Sequence, residues 1–151
     1  MDDVLVDFCL LKLDAMIDLV AGLTDDEANA RPAPGANTAY MLVSHCLGMS
    51  RNWSSTVNLG VPVPRDRDAE FVASGPVLEL VARARGVREQ FAADARSVPG
   101  DEAPAALPAR LDLRERPWAR TTGGVLLHVF EELCQHLGHL EVTRDVVQAR
   151  S

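Results

Sequence analysis

All four histidines of the chain fall in two stretches with helical periodicity: His45 in one, and His128, His136 and His139 in the other. Residues four apart on a helix lie about 40° apart around the axis and one turn apart along it, so Glu132 and His136 can offer an oxygen and a nitrogen to one ion. On a helical wheel His136 falls inside the apolar arc of Val125, Val129, Leu133, Leu137, Leu140 and Val147; Glu132 falls at its edge, and His128 lies further round, towards solvent. His45 sits at the edge of a second arc made by Leu42, Cys46, Met49 and Trp53. If the two helices are neighbours, these groups converge. A carboxylate pointing inward is costly unless it is paired or bound to a cation. Two imidazoles and one carboxylate suit zinc, with nickel or iron as alternatives, and leave coordination positions open for chemistry. His139 is also close to Glu132 on the wheel, and spacing alone does not choose between it and His136. A bland reading competes, in which Glu132 is solvated and each histidine is a hydrogen-bonded core residue.

Four long amphipathic segments must position these groups. The first runs from about Asp2 to Leu23, with Leu5, Phe8, Cys9, Lys12, Leu13, Met16, Leu19 and Val20 at three- and four-residue steps. Thr24-Asp25-Asp26-Glu27 forms a short capped turn, and Arg31-Pro32-Ala33-Pro34-Gly35 a connector. Asn37 or Thr38 caps a second helix that reaches about Asn58, where Gly60, Pro62 and Pro64 stop it. Arg65 to Ala73 reads as a charged surface loop, and Ser74-Gly75-Pro76 as a cap followed by a first-turn proline. The third helix runs to about Val98 with a stripe that includes Leu78, Val81, Ala82, Arg85, Phe91 and Ala95. A proline-rich connector leads to a fourth helix from about Thr121 to Gln148. The pattern predicts an all-α fold, a four-helix bundle in one domain, with long connectors after helices two and three that cross an end of the bundle or cover a site there.

Composition bounds the function. With 151 residues, 47% of them hydrophobic, the chain can build a core without obligatory metals or disulfides, so a metal would serve chemistry. A net charge of −7 argues against a general nucleic-acid binder, which needs clustered basic residues. No apolar run approaches the length of a membrane span. The opening Met1-Asp2-Asp3-Val4 is acidic where a targeting segment would be basic, and Cys9, Cys46 and Cys134 are few and widely spaced, so a cytoplasmic location is expected. Cys46 reads as a small buried residue, Cys134 faces away from the Glu132 and His136 side, and Cys9 has no partner. Thr38, Met41, Asn52 and Thr56 lie on the His45 side of helix two, near Trp53, at positions equally ordinary in a bundle. Arg114, Arg116 and Arg120 read as a solvated loop, with attraction of an anionic substrate as the functional alternative.

The stretch Asn37 to Leu47 around His45, with Trp53 beyond it, and the stretch Leu127 to His139 resemble the two signature helices of the DinB-like superfamily. More narrowly they resemble the branch related to the metal-binding domain of mycothiol-dependent maleylpyruvate isomerase. The resemblance spans most of the chain as a helix layout and includes the Arg31-Pro32 turn. It implies a divalent metal held by His45, Glu132 and His136, with His128 and His139 flanking, and chemistry with a low-molecular-weight thiol such as mycothiol or bacillithiol. A metal-bound thiol would then attack a small electrophilic substrate, and no protein cysteine would act as nucleophile. Because the chain ends just after helix four, the isomerase's additional domain is expected to be absent and S-transfer is expected in place of isomerisation. A non-catalytic, stress-related binding bundle and a metal-dependent hydrolase are the competing expectations. Relatives are often dimers, and Leu127, Val142 and Val146 offer a second apolar face on helix four for a homodimer.

Overall fold

The computed structural model describes residues 3–109 and 115–150. Its helices are α1 (Asp3–Ala21), α2 (Asp25–Asn29), α3 (Ala39–Arg51), α4 (Arg67–Glu70), α5 (Val77–Arg96) and α6 (Thr122–Gln148). A π-helical segment, Asn52–Asn58, continues α3, and a 3-10 turn, Pro117–Arg120, precedes α6. Among the described residues there is no strand, and no helix is long and apolar enough to cross a membrane.

The four long helices form the expected all-α bundle. Around the ring, α1 packs on α5, α5 on α3, α3 on α6, and α6 back on α1. Their facing stripes fill one core with Leu13, Met16, Leu42, Met49, Leu80, Phe91, Leu126, Leu133 and Leu140. Consecutive long helices are therefore not always neighbours: α1 and α3 lie across a diagonal, as do α5 and α6. The connector after α5 crosses an end of the bundle, as its length predicts. Ala106 donates its amide to the Val57 carbonyl at 2.9 Å, and the Thr122 amide bonds the Glu102 carbonyl at 2.8 Å. The diagonal step between α1 and α3 carries α2, closed by a capping box in which Thr24 and Glu27 satisfy each other's backbone amides.

Several sequence expectations are corrected. In α5 the buried face is Val77, Leu80, Val81, Ala84, Phe91 and Ala95, while Leu78 is 80% exposed and Ala82 and Arg85 also face solvent. Alanines recur on more than one side of this helix, so apolar periodicity alone misplaces its stripe. Phe8 is half exposed and meets Phe130 edge to face at 5.7 Å without entering the core. Ser74 does not cap α5; Pro76 holds the cap position, and the free Val77 amide donates to Asp25 Oδ1 at 2.7 Å, a partner 52 residues away. Leu127 and Val142 are exposed on α6, whereas Val146 is partly buried.

The segment after His45 widens from α to π geometry before it stops. Such segments are rare and concentrate near functional sites. The buried Asp94 of α5 stabilises this one: Ser54 Oγ donates to Asp94 Oδ2 at 3.3 Å, Ser55 Oγ donates to the same oxygen, and Gln90 Nε2 donates to Oδ1 at 2.7 Å. Removing that acceptor strands two buried hydroxyls. Asp94→Ala is expected to destabilise the fold by about 2–3 kcal/mol, read as a lower urea midpoint at unchanged slope; a midpoint equal to wild type would exclude this role.

Candidate functional site

Thr38 starts α3 by accepting the Met41 amide at 3.1 Å, and two turns later the helix delivers His45, only 5% exposed, to the side facing α6. Helix α6 starts at Thr121, which accepts the Gly124 amide at 3.0 Å. It then places His128, Glu132 and His136 one above another at successive four-residue steps. The His45 and His136 rings meet edge to face at 4.8 Å. His136 Nε2 lies 3.8 Å from Glu132 Oε2. Ligand-type atoms of His45, Glu132 and His136 all fall within 4.8 Å of one another. Donors about 2.0–2.2 Å from one zinc ion can be at most about 4.4 Å apart, so small rotations of the partly exposed Glu132 and His136 bring the set to that size. Burial and the neighbouring His45 push the His136 imidazole below its ordinary pKa, against the pull of Glu132. Its neutral form, the one with a free lone pair, is favoured.

The most buried member of the set is held from behind. His45 Nδ1 lies 2.8 Å from Oε2 of Glu70, which is itself only 8% exposed. A carboxylate only accepts hydrogen bonds, so Nδ1 carries the proton, and the tautomer this selects for the neutral ring has its lone pair on Nε2. Arg65 grips the same carboxylate as a fork, Nε to Oε1 at 2.7 Å and Nη2 to Oε2 at 2.9 Å. Gly48 makes this possible, because a Cβ there would lie 2.0 Å from Glu70 Oε1. Phe71 completes the support by packing on the His45 ring at 4.8 Å. The stretch Arg65–Ala73, expected as a surface loop, thus contains α4 and the buried partner of His45. Sequence reasoning missed Glu70, Arg65 and Gly48; a glycine mid-helix, three residues beyond His45, was the available signal.

A cavity of about 280 Å³ opens beside the cluster, with His45 and Glu132 in its wall. Met49, Trp53 and Pro108 supply apolar surface, and Asn52, Arg65 and Arg67 polar groups. Pro108 belongs to the connector after α5, which therefore does border this site. His128 also lines the cavity and is not turned to solvent as expected: its ring stacks on Trp118 at 3.9 Å and meets the edge of Trp53 at 5.4 Å. His139 is exposed and stays outside the converging set. Of the four polar and apolar neighbours considered on helix two, Asn52 alone lines the cavity; Thr38 caps α3, Met41 is buried, and Thr56 Oγ1 accepts the Val63 amide at 3.0 Å. Arg116 and Arg120 are exposed and do not line it, and Arg114 lies outside the described residues. Larger cavities, about 450 Å³ between α2 and the end of α6 and about 460 Å³ beside Trp118 and Cys134, do not reach the three-residue cluster.

No cysteine lines this cavity among the described residues. Burial pushes the Cys9 thiol up to about 12 and raises that of Cys46 as well, so both stay protonated near neutrality. Cys134 is only partly buried. In the native protein a thiol-reactive dye is expected to label Cys134 first, with Cys9 and Cys46 at least about 100-fold slower and released on unfolding; fast labelling of Cys46, mapped by mass spectrometry, would contradict its burial.

A family model described as Mycothiol-S-transferase matches residues 4–149. No curated protein matches the chain. The matched span takes in every helix, the Glu70 support and the three-residue cluster, and with it the chain belongs to the mycothiol S-transferase family, a DinB-like family.

Proposed function

We propose that the protein is a metal-dependent S-transferase that joins mycothiol, or a similar low-molecular-weight thiol, to an electrophile. The observation that carries this reading is the convergence of His45, Glu132 and His136 in a chain of this family, beside a cavity whose wall includes His45 and Glu132. These three residues would hold a divalent ion, zinc by the chemistry of the donors, with nickel and iron compatible. When bound, such an ion supplies Lewis acidity that favours the thiolate form of a coordinated thiol near neutral pH.

The chain's own residues supply orientation and shelter. Glu70 holds the Nδ1 proton of His45 and so fixes both its tautomer and its ring plane. Arg65 balances the Glu70 charge and holds its carboxylate in place behind His45. Met49, Trp53 and Pro108 supply apolar surface to the cavity, against which the electrophile's apolar body would rest. In the transfer, the thiol sulfur forms a bond to the electrophilic carbon, the leaving group departs with the bonding electron pair, and the thiol proton passes to solvent.

The test is incubation of zinc-loaded protein with mycothiol and a panel of alkylating electrophiles. The expected result is loss of free thiol matched by equal conjugate, above the uncatalysed rate. Untouched thiol with cleavage of an ester or amide would replace this reading with hydrolysis, and no turnover of either kind would leave a binding bundle.

A further inference from the structure

We propose that the cavity selects electrophiles bearing an anionic group, a carboxylate by preference, and that Arg67 is the residue that recognises it. This rests on the transferase reading for the cavity's role as substrate site. Among the described residues two arginines line the cavity, and they are not equivalent. Arg65 already spends its fork on Glu70, at 2.7 and 2.9 Å. Arg67 has no carboxylate partner among the described residues; its guanidinium carbon rests 5.2 Å from the centre of the Phe71 ring. Phe71 in turn packs on His45, so the Arg67 charge is tethered one aromatic ring away from the cluster. A guanidinium that rests on an aromatic ring without a carboxylate partner has N–H donors to offer a planar, two-oxygen acceptor.

The surrounding charge supports an anion over a cation. Among the described residues Glu132 is the one acid lining the cavity, and Glu70, the partner of His45, is matched by Arg65. Arg67 balances Glu132, so a divalent ion at the cluster would leave the wall with a net positive charge. The chain as a whole carries −7, so an anion approaches against the mean field and the local cation decides whether it is accepted. Met49, Trp53 and Pro108 supply the cavity's apolar surface. The matching ligand has a flat apolar body with a carboxylate at one end, of a size that fits a cavity of about 280 Å³.

Benzoate and benzamide differ in little but the charge, and calorimetric binding of each to zinc-loaded protein tests the inference. Wild type is expected to prefer benzoate by about tenfold. Arg67→Gln should bring the ratio to within about twofold, Arg67→Lys should restore part of it, and Arg85→Gln, on the exposed side of α5, should leave it unchanged. A wild type without preference, or a preference that persists in Arg67→Gln, overturns the proposal, the second result assigning carboxylate binding to the metal. In parallel, mycothiol is offered 4-(chloromethyl)benzoate or 4-(chloromethyl)benzamide: a C–S bond forms, the C–Cl bond breaks, chloride leaves with the electron pair and the thiol proton goes to solvent. Arg67→Gln should lower kcat/KM for the acid about tenfold and spare the amide. If neither chloride is consumed the transferase reading fails, while the benzoate-to-benzamide binding ratio still decides the role of Arg67.

Discussion

Glu132→Ala and His45→Ala are each expected to strip the protein of its metal and, with it, of thiol transfer. Structural zinc sites with four ligands bind with about 10–16 kcal/mol, so one ligand of a three-residue set accounts for roughly 3–4 kcal/mol, or about 10²- to 10³-fold in affinity. That loss moves metal from bound to free during purification without chelators, and elemental analysis should fall to background in both variants. The folds should survive for different reasons. Glu132 is partly exposed, with 29% of its side chain open, so truncation leaves no buried void. His45 is buried, but after its removal Glu70 keeps both bonds from Arg65. Far-UV circular dichroism should therefore remain helical. His139→Ala, outside the converging set, should keep its metal. Full metal retention in both Glu132→Ala and His45→Ala would refute the ligand set whatever the activity.

The parts of this site that were legible in sequence share a property: their geometry is local to one helix. Glu132 and His136 are related by helical spacing alone, and the stripe of α6 fixes which way they point. His45 needed only the further premise that its helix is a neighbour, which the bundle satisfies. His128 was misplaced because its orientation depends on Trp118, brought against it by the 3-10 turn before α6; that approach needs Gly124, where a Cβ would lie 2.3 Å from the Trp118 carbonyl oxygen. Glu70 was illegible for a stronger reason. It lies 25 residues from His45, in a run of charges whose composition argues for solvent, and only the fork from Arg65 makes its burial tolerable. The start of α5 shows the same limit, since its capping carboxylate, Asp25, comes from the far side of the chain. Periodicity reports the face a helix buries; it does not report which distant loop will fold down to complete a site.

Gly48→Ala is expected to weaken metal binding about 10- to 100-fold, the range seen when a hydrogen-bonded supporter of a metal ligand is lost. Local propensity predicts benefit, since alanine gains about 1 kcal/mol over glycine inside a helix. Packing decides otherwise. The new methyl would lie 2.0 Å from Glu70 Oε1 and 3.3 Å from Arg65 Nε, where the fork-held carboxylate packs on α3. Glu70 must withdraw, and His45 then loses the acceptor that fixes its Nδ1 proton and its ring. Gly86 supplies the control: a Cβ there meets nothing within 4 Å, so Gly86→Ala should raise stability by about 0.5–1 kcal/mol and leave the metal untouched. Glu70→Gln keeps the size of the side chain but gives up its charge, and should lower metal affinity about tenfold. The pair also forms a cycle. If Gly48 acts through Glu70, then Gly48→Ala should cost metal affinity in the wild-type background and nothing further in Glu70→Ala, a coupling equal to its whole effect. Additive losses in the double variant would show that the glycine serves α3 itself and does not act through Glu70.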